Sequence, residues 1–298
     1  MKKSSFINLI CILLLFSCKR DQDVHPTVDT RLKKFLSENM LNSSITRKHH
    51  LFGYTNDTYT FQRVDSIEQD GKVRKISPSR SGFFSEELSN NFKLIEEVYF
   101  YVESKFSVGV SYTNKVETIV KKVNDGFDLV TSYDNKPSVH ASLQLSNNNQ
   151  MLKYTTSSVV TIGSNEGTKD VILYNGYYRF EYESSGNASK VFYSTSGTIE
   201  TLFAEYTFDK NPNPFTNLKW LCRLSTIGTK GIDIELAASE SNNNILTGKY
   251  YQDGKLKYEK TNTYKYDIKT KLPTEIVTTI SEKDNFPNTY LTKNTFIY

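Results

Sequence analysis

The chain has 298 residues and carries 37 Lys and Arg against 33 Asp and Glu. A balance this close, with both signs interspersed, offers no concentrated basic stripe and excludes nucleic acid as the expected partner. Twenty Tyr and 18 Phe beside a single Trp, together with many Val, Ile and Thr, favour strands, and the length suffices for one large domain or two smaller ones.

The chain opens with Lys2 and Lys3, then an apolar stretch from Phe6 to Phe16 broken by Asn8. That stretch is shorter than the about 20 residues a spanning helix needs and has the length and flanks of a secretory signal. Leu15-Phe16-Ser17-Cys18 resembles a lipobox. Ser17 is the small residue the peptidase requires, Cys18 is the thiol to be acylated, and Phe16 departs from the usual small residue. Residues 1–17 are therefore expected to be a lipoprotein signal peptide. Cys18 is the predicted lipidation site and the membrane anchor, with several acyl chains holding the protein without a spanning helix. The alternative is ordinary secretion, with Cys18 merely near the cut. Residues 18–27 form a charged tether, and Lys19-Arg20-Asp21-Gln22-Asp23 is similar to the export signals that send Bacteroidetes lipoproteins to the outer face of the outer membrane. Removing the signal leaves 35 basic and 33 acidic residues.

Residues 28–298 are expected to form a single domain. Val28, Leu32, Phe35 and Leu36 recur at helical spacing, with Thr27 or Asp29 as cap, and predict one helix over about 28–40. From about residue 51 strand follows strand. Tyr178, Phe180 and Tyr182 alternate with Arg179, Glu181 and Glu183; Val191 with Tyr193, then Leu202, Ala204, Tyr206 and Phe208, continue the period, as do Tyr264, Tyr266 and Ile268. Such alternation means a sheet with one face buried and one solvated. Asp70-Gly71 and Asp253-Gly254 predict two-residue hairpin turns, Asp125-Gly126 a weaker one, and Ser185-Gly186-Asn187, Asn147-Asn148-Asn149 and Asn242-Asn243-Asn244 mark further connections. The fold expected is mainly β: an extended, curved antiparallel meander carrying one short N-terminal helix.

Three hairpins share a pattern of strand, Gly turn and basic strand: FQRVDSIEQDGKVRKI (61–76), YRFEYESSGNASKV (178–191) and KYYQDGKLKY (249–258). With EYTFDKNPNPF (205–215) and TYKYDIKTKLP (263–273), residues 177–298 resemble a Bacteroidetes outer-membrane lipoprotein family with YD/RHS-like β-hairpin repeats. The resemblance covers about the last 120 residues and the signal. It implies strands and turns only; the family has no agreed activity, so no functional residue is carried over.

No catalytic, metal or nucleotide motif stands out. Adjacent His49 and His50 face opposite ways on a strand, and with His25 and His140 they lack metal-ligand spacing. The carboxylate pairs Glu86-Glu87, Glu96-Glu97, Glu181/Glu183 and Asp233/Glu235 are expected on solvated faces, the last alternating with Ile232, Ile234 and Leu236 as on a half-wet strand. Cys222, within an apolar run, is expected to be a buried thiol. Tyr250-Tyr251, Tyr177-Tyr178 and Tyr99-Phe100-Tyr101 put rings on both strand faces; one set builds the core, the other is either a binding surface or also buried. Asp65-Ser66-Ile67 resembles a Bacteroidetes O-glycosylation acceptor, which makes Ser66 a candidate for modification; so short a motif also arises by chance.

The function these features predict is a non-catalytic envelope lipoprotein, a binding or scaffold module at the outer membrane. It is expected on the cell surface rather than the periplasmic face, with a glycan or protein ligand and no cofactor. A periplasmic carrier of lipid or lipoprotein with an apolar cavity, and a glycan-active enzyme, stay open as alternatives.

Overall fold

The alternating aromatic positions fall on strands, and each strand pairs with its neighbours along the chain. The computed structural model describes residues 31–298 apart from 42–43, 56–57, 70–71, 88–90, 104–107, 125, 165–166, 230–234 and 284–288. Among the described residues the first eight strands are β1 (Lys34–Leu41), β2 (Ser44–Thr55), β3 (Thr58–Gln69), β4 (Lys72–Glu87), β5 (Asn91–Glu103), β6 (Val108–Val123), β7 (Gly126–Tyr133) and β8 (Lys136–Leu145). Eight more follow: β9 (Met151–Ser164), β10 (Gly167–Tyr182), β11 (Ala188–Ser194), β12 (Thr201–Pro212), β13 (Asn243–Gln252), β14 (Lys255–Tyr266), β15 (Pro273–Glu282) and β16 (Thr289–Ile297). All pairings are antiparallel. The curvature of the meander runs on until β1 pairs with β16, from Lys34↔Ile297 to Met40↔Leu291, and the sheet closes into a barrel. Closure leaves no unpaired edge.

The described part of the segment expected as a helix over about 28–40 is not helical: residues 34–41 are strand β1, and the short helices among the described residues lie between β12 and β13. Local helical spacing loses because β1 satisfies its backbone on both sides, against β2 and β16, and a weak propensity yields to such pairing. Elsewhere local signals hold. Asp253 and Gly254 have φ of 51° and 72°, the left-handed pair that a two-residue turn between β13 and β14 requires. Leu202 departs from its expected face: a bulge shifts the register so that Leu202 pairs with Phe192 while Ala204 pairs with Val191. The extra residue moves the period by one and turns Leu202 outward.

The outer wall, where side chains are described, is charged. Glu38 pairs with Arg47 at 2.8 Å, and Arg179 with Glu200 at 2.6 Å and Glu181 at 2.7 Å. Glu275 is clasped by Lys265 at 2.7 Å and Lys293 at 2.9 Å, and the hydrogen bonds from both hold its carboxyl below the usual range. Glu38 and Lys293 are mid-strand. An Arg or Lys on a lipid-facing barrel wall costs about 2–4 kcal/mol at the bilayer midplane. Where these pairs lie, the wall suits water better than lipid. No helix among the described residues is long and apolar enough to cross a membrane.

Aromatic and apolar side chains turn inward, but sixteen strands enclose more space than side chains from the wall can fill. The segment between β12 and β13 takes up part of it. It contains a 3-10 turn (Thr216–Leu218), α1 (Lys219–Arg223), a π-helical turn (Leu224–Thr229) and α2 (Leu236–Glu240). Phe215, Leu218, Leu221, Cys222, Leu224 and Ala237 are all buried. Phe215 stands edge-on to Phe35 and Phe296, each 5.9 Å away, so it braces the seam where β1 meets β16.

This plug is fastened by a fully buried ion pair. Arg223 Nε donates to Glu240 Oε1 at 2.6 Å and Nη2 to Oε2 at 2.7 Å, with both side chains at 0% exposure. The remaining capacity goes to the β8–β9 turn: Arg223 donates to the carbonyl of Asn149 at 2.7 Å and to its side chain at 3.0 Å, while the Met151 N–H donates to Glu240. Ser241 and Asn242–Asn244 add bonds to the β10–β11 turn and to the end of β12. The plug is thus tied to the β8–β9 and β10–β11 turns, at the end of the barrel that carries the even-to-odd strand connections. Breaking a buried pair from one side leaves an uncompensated charge. Glu240→Ala is expected to lower the unfolding free energy by about 3–5 kcal/mol in urea titrations, and the Arg223→Met/Glu240→Leu double variant by less than either single change.

Candidate binding site in the barrel lumen

Between the plug and the strands β1, β2 and β13–β16 lies a cavity of about 440 Å³, within the range of small-molecule sites. Twelve of its twenty lining residues are Ser, Thr, Asn, Lys or Glu. The strand register explains how they converge. Asn262 pairs with Thr278, Ser37 with Asn294 and Asn39 with Thr292, all on the inward face of neighbouring strands. Asn39 is exposed although it points inward, so the lumen is open to water at that level. Asn262 donates to the Ile245 carbonyl at 2.7 Å and accepts from Thr278 at 2.6 Å, which fixes its amide. The Asn294 Oδ1 atom is buried with no hydrogen-bond partner among the described residues, a vacant acceptor on the cavity wall.

At one side of the cavity stands Glu235, the residue before α2. Its Oε1 accepts from the Tyr206 hydroxyl at 2.7 Å and from the Tyr250 hydroxyl, and Lys260 Nζ lies 3.3 Å from Oε2. Lys260 also sits 4.7 Å from the centre of the Tyr250 ring. The carboxylate is deep in the molecule, yet 26% of its side chain faces the cavity. Burial pushes its pKa up, but the Lys260 charge and the three donated hydrogen bonds outweigh that, and the net shift is downward. Glu235 is accordingly a held anion and is poorly suited to act as a general acid. Tyr206 and Tyr250, buried beside that anion, are pushed well above the usual phenol range. Asp209, the other inward carboxylate near the plug, accepts from Tyr266 and from the Asn211 and Asn244 backbones, and does not line the cavity.

The residues singled out in the sequence are scattered by this geometry. His50 is inside, stacked on Phe35 at 5.3 Å, while His49 is on the opposite face of β2. Tyr178 and Tyr250 point into the lumen, and Tyr251 lies outside with its hydroxyl on Glu205. Cys222 is buried in α1, and burial raises its thiol pKa. Ser66 sits within β3, opposite Arg47 and Ile76; its side chain, and all of residues 1–30 including Cys18, lie outside the described residues. The side chains of Glu86, Glu87, Glu96, Glu97 and the Tyr99–Tyr101 run also lie outside them, as does Asp233. Glu235 is a correction. It is no solvated strand residue but a lumen anchor at the entry to a helix, and the signal that marked it was the apolar Leu236-Ala237-Ala238 run that follows.

No family model matches the chain, and no curated protein matches it. Among solved structures it is similar to a porin-like protein from Bacteroides uniformis, with 11% identity, covering 90% of this chain and 96% of that one at a TM-score of 0.42. A porin-like protein from Bacteroides vulgatus has 10% identity, with 91% and 99% covered and a TM-score of 0.33.

A carboxyl group whose pKa is lowered by folding stabilises the native state above its unfolded value and loses that contribution as pH falls through its folded value. Glu235→Gln should therefore be less stable than wild type at pH 7. The gap between the two urea midpoints should close on acidification to below the ordinary Glu range, near pH 4.

Proposed function

We propose that this chain is an envelope lipoprotein, anchored through Cys18 to the outer membrane with its barrel in water, that binds a small polar ligand in the lumen without transforming it. The observation that carries this reading is the pairing of charged residues on the described outer wall with a polar cavity inside a barrel that holds a buried, ion-paired plug. A wall that suits water needs a separate anchor to stay at a membrane, and the lipobox-like Leu15–Cys18 supplies one. The predominance of Asn, Thr and Ser on the cavity wall favours a hydrogen-bonding ligand such as a sugar over a lipid chain, which would want an apolar lining. Glycoside hydrolysis draws on two facing carboxylates; Glu235 is the single carboxylate among the described lining residues, and it is already bonded to three partners. The tether at Lys19–Asp23 favours the cell surface.

Two measurements test this. Thermal unfolding against a panel of sugars and a panel of fatty acids should show a concentration-dependent rise with a sugar; a rise with fatty acids alone would turn the reading toward the carrier. Protease added to intact cells should degrade the wild-type protein, with the Cys18→Ser variant lost from the membrane fraction. Full protection until the outer membrane is opened would place the protein in the periplasm.

A further inference from the structure

A second cavity opens at the unplugged end, bounded by the β11–β12 connection on one side and the β13–β14 hairpin on the other. Its volume is about 630 Å³, and it holds no part of the Glu235 cluster except the far face of Tyr250. One wall is aromatic: Tyr193 and Phe203 lie 6.2 Å apart between ring centres, both backed by Tyr178 at 5.0 and 5.9 Å. The lining continues on β13 and β14 with Tyr258, stacked at 4.3 Å on Tyr250. Phe203 is 36% exposed and Ile199, beside it, 76%. Rings and an exposed Ile lining a water-open cleft are costly to leave bare.

The polar groups around them select the occupant. The cleft carries Ser196, Thr201 and Gln252, with a single acid, Asp253, and a single base, Lys257, so no net charge favours an ion. The Tyr258 hydroxyl, half-buried, makes no hydrogen bond among the described residues. A ligand that matches must offer apolar C–H faces to the rings and hydroxyls to the rim. We propose that this rim cleft is a carbohydrate subsite, in which a neutral pyranose ring stacks on Phe203 and Tyr193 and bonds the Tyr258 hydroxyl. The proposal rests on the binding reading above and adds a site separate from the inner cavity.

The test is calorimetric titration of the full protein with neutral di- to tetrasaccharides built from glucose, galactose, mannose or N-acetylglucosamine. The comparison includes Phe203→Ala, Tyr258→Phe and, for the inner cavity, Asn294→Leu. The expected result is binding of at least one saccharide that Phe203→Ala weakens about tenfold or more and Tyr258→Phe weakens less, whether or not Asn294→Leu also alters a second binding event in the inner cavity. Melting curves check that each variant is folded, and Tyr258→Phe, which keeps the ring, decides the matter if Phe203→Ala is not. Binding lost in Asn294→Leu alone would place the sugar in the inner cavity, overturning the rim site while sustaining the earlier reading. Absence of binding across the whole panel, or binding indifferent to both rim variants, would overturn the proposal.

Discussion

The ion pair between Arg223 and Glu240 is the constraint on which the interior depends. A guanidinium and a carboxylate at zero exposure are tolerable only when nearly every donor and lone pair is used, and here the β8–β9 turn supplies the missing partners at Asn149 and Met151. The pair therefore stitches a segment more than 70 residues away in sequence to that turn. With Glu240 fixed, helix α2 is fixed, and Glu235 at its entry must face the lumen. The Tyr206–Glu235–Tyr250–Lys260 cluster is a downstream effect of a latch made elsewhere.

The barrel distributes its chemistry in a way that follows from strand number. A wide sheet cylinder has an interior to fill, and side chains from its wall reach only part of the way. A chain segment fills one end, and what it does not fill remains as polar space. Outside, cross-strand pairs such as Lys265–Glu275–Lys293 line a surface that water can solvate. Interior rings and exterior charges are the two faces of one alternation, read along β10 as Tyr178, Phe180 and Tyr182 inside against Arg179 and Glu181 outside.

Much of this was legible in local sequence. The period-2 runs located strands, and Asp253-Gly254 located its turn because two left-handed residues in succession admit few sequences. Cys222 in an apolar run was legible as buried. The misreadings share a cause, which is that distant partners decide between local options. Residues 34–41 had helical spacing, yet the seam against β16 claimed them. Glu235 sat in an alternating stretch that resembled a strand, yet Arg223 drew the following residues into a helix inside the barrel. The Asn242–Asn244 triplet suggested a plain loop, whereas these amides bind the plug exit to the neighbouring turns. The cavity could not be foreseen from any one segment, because its wall is assembled from side chains at 37, 262, 278 and 294.

The seam between β1 and β16 has a bearing on how the molecule comes into being. Its two strands are the first and last among the described residues, and Phe215 of the plug packs against both. A meander can zip hairpin by hairpin, but β1 keeps a bare edge until β16 arrives, and contacts of such sequence separation form slowly. During that interval the half-built cylinder exposes backbone and aromatic rings to its neighbours. A sharp rather than gradual final step of assembly is the natural companion of a wall that becomes whole only when β1 meets β16.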